Sequence, residues 1–152
     1  MSIASTFTAL GTLLLTANPT PQPQLTRVIT NLVESHAEAD RPFAILGLAR
    51  EGHTVSIEAM QLGRIDYVVE INVILGGMET PLIELHDRAK YWPLAILTAL
   101  SSDVTLGGTI AFTGGGKWAV PFTVGPLADY PEYWGLTFSL PVTEKPNLNG
   151  MG

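Results

Sequence analysis

Arg64-Ile65-Asp66-Tyr67-Val68-Val69-Glu70-Ile71-Asn72-Val73-Ile74-Leu75 is a segment in strict two-residue alternation. In an extended chain, successive side chains point to opposite faces. Ile65, Tyr67, Val69, Ile71, Val73 and Leu75 therefore share one face, and Arg64, Asp66, Val68, Glu70, Asn72 and Ile74 share the other. One dry face and one mostly wet face belong to an antiparallel or mixed sheet whose second side meets water or a partner. The segment is also about twice the usual strand length of 5 to 6 residues. A lone domain rarely needs such a strand unless the sheet lines a wall or reaches toward a neighbour. The pattern thus points to an assembly surface before it points to a pocket.

The chain of 152 residues is one domain by length, able to bury roughly 70% of its extended surface around one core. Only 14% of its residues are charged, against about 25% in ordinary soluble domains, and mean hydropathy is +0.27. Few residues remain to keep a monomer's surface wet. No run of about 18 consecutive apolar residues occurs, so no spanning helix and no membrane partner is expected. Subunit contacts become the expected use of the apolar surface. A net charge of -6 argues against a protein that clamps phosphates through basic patches. The absence of cysteine removes disulfides, thiolate metal sites and cysteine nucleophiles together. Leu13-Leu14-Leu15 is preceded by no Lys or Arg, so a signal peptide is not expected.

Ile3, Phe7, Leu10 and Leu14 recur at helical spacing, giving an N-terminal helix over residues 1–17 whose other face is Ser, Thr and Ala. Residues 18–26, with Pro19, Pro21 and Pro23, read as an extended, semi-rigid linker. A short helical turn is expected through Val28, Leu32 and Val33. Phe43, Ile45 and Gly47, then Val55, Ile57 and Ala59, mark two strands, with Arg50-Glu51-Gly52 suited to a hairpin turn between them. After the long strand, Gly76-Gly77 breaks the pattern. Thr80 reads as the N-cap and Pro81 as the first residue of a helix whose apolar face is Leu82, Leu85, Ala89, Trp92, Ile96 and Leu100. Pro93 inside it predicts a kink or a break into two short helices.

Ile110 and Phe112, then Trp118 to Val124, then Trp134 to Val142 keep period two, and Gly114-Gly115-Gly116 joins the first two as a hairpin loop. The expectation is a single α+β domain over residues 1–142, an antiparallel or mixed sheet with one or two helices packed on one face. A flexible tail over residues 143–152 follows.

Gly114-Gly115-Gly116-Lys117 invites comparison with a phosphate-binding loop, but Ala111 stands where that motif needs its first glycine and Trp118 where it needs Ser or Thr. His36, His53 and His86 have no spacing that would place two on one metal. His86 and Asp87 are neighbours in a helix and point about 100° apart, so they form no dyad. Asp66 and Glu70 share the wet face but stand about 13 Å apart at strand rise, farther than even an inverting carboxylate pair. With Arg64 they read as a solvated charge ladder, one that could also bridge subunits. Glu84 and Arg88 fit a surface ion pair. No serine hydrolase signature occurs, and no basic residues interleave with Trp92, Trp118 and Trp134 as a base-stacking platform would need. No catalytic, cofactor or metal site is expected, and the chain reads as a non-enzyme.

The order of elements carries a resemblance. A long strand with Tyr67-Val68-Val69-Glu70-Ile71-Asn72-Val73, then a helix, then Leu106-Gly107-Gly108-Thr109-Ile110 entering another strand, resembles the tail terminator and tail completion proteins of long-tailed bacteriophages. The resemblance runs from the first helix to about Val142; the Pro19 to Pro23 linker and Pro93 depart from it. It implies a homo-oligomeric ring, commonly a hexamer, that caps the tail tube and joins it to the head connector, within the virion after assembly in the host cytoplasm. Its partners would be the major tail tube protein and the connector, with DNA passing through the lumen unbound; the acidic balance suits such a wall. The implied contact or lumen residues are Arg64, Asp66, Glu70 and Asn72, with Gly114, Gly115, Gly116 and Lys117 as a docking finger. Two other readings stay open: a head-completion or stopper ring of the neck, and a small-ligand or carbohydrate-binding module with Trp118, Tyr133 and Trp134 lining a cleft.

Overall fold

A computed structural model describes residues 3–30, 42–58, 62–77, 79–103, 111–112 and 119–146. The elements are α1 (Ile3–Leu14), β1 (Val28–Ile29), β2 (Phe43–Leu48), β3 (Thr54–Glu58), β4 (Leu62–Gly77), α2 (Leu82–Ala89), α3 (Trp92–Ser101), β5 (Ala111–Phe112), β6 (Phe122–Pro126) and β7 (Tyr133–Glu144). The fold is α+β around one mixed sheet, in which, among the described residues, β1 and β2 pair in parallel and the other pairings are antiparallel. β4 and β7 form its antiparallel spine from Ile65 opposite Glu144 to Gly77 opposite Tyr133.

Each spine strand carries two shorter strands laid end to end along its outer side. β2 pairs with the second half of β4 and β3 with the first half, both antiparallel. β6 and β5 flank β7 in the same way. This corrects two expected hairpins. β2 and β3 run in one direction along β4, so Arg50-Glu51-Gly52 is a bulged interruption between collinear strands. His53 closes that gap: Val68 N–H donates to its Nδ1 at 3.2 Å, and its Nε2 stands 2.5 Å from the Ala49 carbonyl oxygen. Those contacts suit the tautomer with hydrogen on Nε2. β5 and β6 likewise do not pair with each other, and residues 113–118 between them lie outside the described residues.

The alternation along β4 decides where the core sits. Tyr67, Val69, Ile71 and Val73 of β4, with Leu136, Phe138, Leu140 and Val142 of β7, meet Leu10 and Leu14 of α1, Leu85 of α2, and Trp92, Ile96 and Leu100 of α3 in one buried cluster. Burying each such side chain contributes about 1.5–3 kcal/mol. The uncharged outer side of α1 satisfies itself, since the Thr8 and Thr12 hydroxyls donate to the carbonyls of Ala4 and Thr8. A smaller cluster of Ile29, Phe43, Ile45, Ile74 and Leu127 lies on the opposite face, with Tyr133 edge-on to Phe43 at 6.1 Å between centroids. Only the first half of β4 therefore has a wet second face.

Pro93 divides the second helical region as its chemistry requires, and it falls in the first turn of α3, where its missing N–H costs nothing. Several local expectations shift. Pro81, not Thr80, stands at the cap of α2, its carbonyl accepting from Glu84 and Leu85, and Leu82 faces outward. Val28 belongs to a strand rather than a helical turn; Leu32 and Val33 lie outside the described residues. The proline segment is anchored rather than free, with Pro19 and Leu25 buried and Ala17 before it in the core, while Pro21 and Pro23 are exposed. β7 continues to Glu144, and the Pro146 carbonyl accepts from Gly63 N–H at 2.9 Å. The first residues expected in the tail are thus paired sheet; 147–152 lie outside the described residues.

β4 carries a bulge at Leu75, between the pairs Ile74 with Gly135 and Gly76 with Trp134. There the two backbones approach so closely that a Cβ on Gly135 would overlap the Val73 carbonyl oxygen. The extra residue turns the end of β4 toward α2, where a Cβ on Gly76 would stand 2.6 Å from Leu85 Cδ2.

Candidate functional site

The wet half of the second face is built of cross-strand rows. Thr54, Asp66 and Thr143 form one row and Gly47, Glu70 and Ser139 a second, while Ile45, Asn72 and Thr137 form a largely buried third where the wet half meets the smaller cluster. Alternation thus brings Arg64, Asp66, Glu70 and Asn72 onto one face, as the sequence reading expects.

Their states differ sharply. Asp66 accepts from Arg64 Nε at 2.9 Å, from the Thr143 hydroxyl at 2.6 Å and from the Thr54 hydroxyl at 3.4 Å. The Arg64 bond and then the Thr143 bond hold its carboxyl below the usual aspartate value. Glu70 is shifted the other way, first by burial and then by the charge of Asp129, against an opposing pull from Arg50. Asn72 is only 6% exposed. Its amide donates to the Ile45 carbonyl at 3.4 Å and its oxygen accepts from Thr137 at 2.8 Å. Asn72 is therefore a cross-strand staple and offers nothing to a partner or a lumen. Gly114, Gly115, Gly116 and Lys117 lie outside the described residues.

This face can hold fixed charge and hydrogen bonds, and among its described residues no general acid and general base are paired. The expected ion pair of Glu84 and Arg88 is present at 3.5 Å, and Arg88 also donates to the Leu75 carbonyl at 3.0 Å. His86 stands edge-on to Trp134, with 5.1 Å between centroids. Tyr133 and Trp134 border a hollow of about 500 Å³ with Leu82, Leu85 and Pro131, yet the Trp134 ring is itself buried, so it presents no open stacking platform; Trp118 lies outside the described residues.

Two features escaped the sequence reading. The Tyr67 hydroxyl donates to Glu144 Oε2 at 2.5 Å on the dry face, and Glu144 is 3% exposed, its other oxygen having no partner among the described residues. Burial first, and this carboxylate second, push the Tyr67 hydroxyl far above the usual phenol value. The second feature is uncovered apolar surface at both edges of the sheet. Val55 and Ile57 on β3 are 79% and 76% exposed, and Phe122 and Val124 on β6 are exposed as well. Period two in β3 was a usable signal, but it could not show that none of the described helices reaches it.

Among the described residues no helix is long and apolar enough to cross a membrane. No protein-family model matches the chain, and no curated protein matches it either.

Proposed function

We propose that the chain is a structural subunit of a bacteriophage virion, a tail terminator whose ring caps the tail tube and joins it to the head connector. The observation that carries this reading is the apolar surface left uncovered on both outer edges of one sheet. A free monomer gains nothing from such edges, whereas a ring subunit needs two unlike sticky sides. Two further properties support it. The charged fraction is low and the net charge acidic, so DNA would pass the assembly without being held. The polar face is a fixed hydrogen-bonded surface, suited to lining or contact.

The test is the solution mass by light scattering, with negative-stain imaging of the same peak and an assay of capping on purified tail tubes. Six copies of the 16.3 kDa chain give a closed particle of about 98 kDa with a central hole. Binding to tube ends supports the terminator reading, and binding to connectors alone moves the ring to the neck. A chain that stays monomeric and binds neither sinks the proposal.

A further inference from the structure

The two uncovered edges match in a way that specifies a contact. Hydrogen bonding alternates along an antiparallel strand, so each residue turns its backbone groups either inward or outward. On β4, Val68 accepts from Ala49 on the β2 side. Asp66 and Arg64, in phase with Val68, thus bond Thr54 and Ser56, their partners in β3, which turns the backbone groups of Val55 and Ile57 outward. On β6, Ser139 N–H donates to the Pro121 carbonyl and Leu127 N–H to the Tyr133 carbonyl. Thr123 and Gly125 are in phase with these, so Phe122 and Val124 turn their backbone groups outward. Among the described residues neither β3 nor β6 has a second strand beside it.

The side chains agree with the backbone. Val55 lies opposite Ile65, and Phe122 opposite Phe138, so all four exposed apolar residues stand on the helix-covered face of the sheet. Beside β6, that face holds an apolar groove of about 410 Å³ lined by Leu94, Leu97, Leu100, Val120, Phe122 and Phe138. Thr54 to Ile57 and Phe122 to Pro126 carry no charge. An exposed edge strand with an apolar face offers unpaired backbone groups to any matching strand unless something pairs it.

We infer that β3 of one copy adds to β6 of the next in antiparallel register, with Val55 opposite Val124 and Ile57 opposite Phe122, and that the Val55 and Ile57 side chains close the groove beside α3. In this register the outward N–H and C=O groups of both edges face each other, and the dry face runs on across the boundary. The contact is head-to-tail, so it propagates and closes into a ring or not at all. β3 and β6 lie at opposite ends of the spine, beside Arg64 and, across β7, Val73. With Val55 beside Ile65 and Val124 in line with Val73, successive copies are stepped by about 27 Å along the strand direction, and the strands run obliquely to the ring axis, as in a sheared barrel.

The inference deepens the ring reading, and its test separates the two. The same register makes Ser56 and Thr123 a directly opposed, non-hydrogen-bonded pair, whose Cα atoms stand about 4.5 Å apart in such sheets, within disulfide range. The chain has no cysteine of its own. Chains carrying Ser56→Cys and Thr123→Cys, mixed and oxidised, should give a covalent dimer on a non-reducing gel. Each alone should not, and the double variant should give a ladder. Ile57→Asp in the mixture should cut the dimer yield at least tenfold, with the far-ultraviolet circular dichroism unchanged. No cross-link from a chain whose wild-type mass is that of a ring overturns this contact and leaves the ring reading standing. A dimer from Ser56→Cys alone overturns it in favour of two-fold β3 pairing. No cross-link from a wild-type monomer overturns both.

Discussion

Asp66 and Glu70 stand on one face of one strand, yet their surroundings move them in opposite directions. The folded state holds Asp66 below its usual value through Arg64 and Thr143. Its stabilisation is present above the unfolded value and lost as pH falls through the lower folded one. Burial and Asp129 raise Glu70, so its charged form opposes folding at neutral pH, and that cost disappears as pH falls below its folded value. Asp66→Asn should therefore lower the Tm at pH 7, and Glu70→Gln should raise it, with both differences shrinking toward about pH 3. Thermal melts across that range check the pair; shifts of one sign would contradict the assignment. Tyr67→Phe should cost about 2 kcal/mol, measured as a denaturant midpoint, because it strips from the buried Glu144 carboxyl the one side-chain bond it has among the described residues. Alternation placed Asp66 and Glu70 correctly. It could not reveal that Thr143 and Glu144, 77 residues beyond Asp66 and Tyr67, are their partners, since the turn-forming composition of the chain's end concealed two residues of central strand.

The elements themselves follow local chemistry closely, and their pairing does not. Period two marks β4 and β7, helical spacing marks α1, and Pro93 separates α2 from α3. Arg50-Glu51-Gly52 has the composition of a hairpin turn, but β4 is long enough to hold β2 and β3 in line, and that nonlocal pairing prevails over the local signal. The bulge at Leu75 was equally hidden, because its cause is a close approach between β4 and a glycine far along the chain. Gly135→Ala should cost about 3 kcal/mol or more, since the added methyl meets backbone that cannot move aside. Gly47→Ala, where nothing lies within 4 Å of the new atom, should change stability by less than about 0.5 kcal/mol. Urea midpoints of the two variants provide the comparison. Equal effects would mean that the spine's curvature does not depend on this contact.

At the scale of the whole molecule, a chain with 14% charged residues gathers the larger part of its buried apolar residues on one sheet face, covers the middle of that face with three helices, and, among the described residues, leaves both ends of the sheet's width open. The composition made this deficit of polar surface legible. Which strands carry the open surface was not, because solvent exposure depends on where the helices stop. If β3 docks on the next copy, folding and assembly are linked. Whatever binds only the folded chain raises the apparent stability by mass action, and here that ligand is the chain itself. The Tm of the wild type should then rise with protein concentration. Ile57→Thr keeps a β-branched residue at a position 76% exposed in the subunit, so the monomer's own stability should change by less than about 0.5 kcal/mol. Its Tm should match the wild type at high dilution and fall progressively below it as concentration increases. Melts over a hundredfold range of concentration decide the matter: parallel curves displaced at every concentration would place Ile57 in the subunit's own stability, and curves that converge on dilution would place it in the contact between copies.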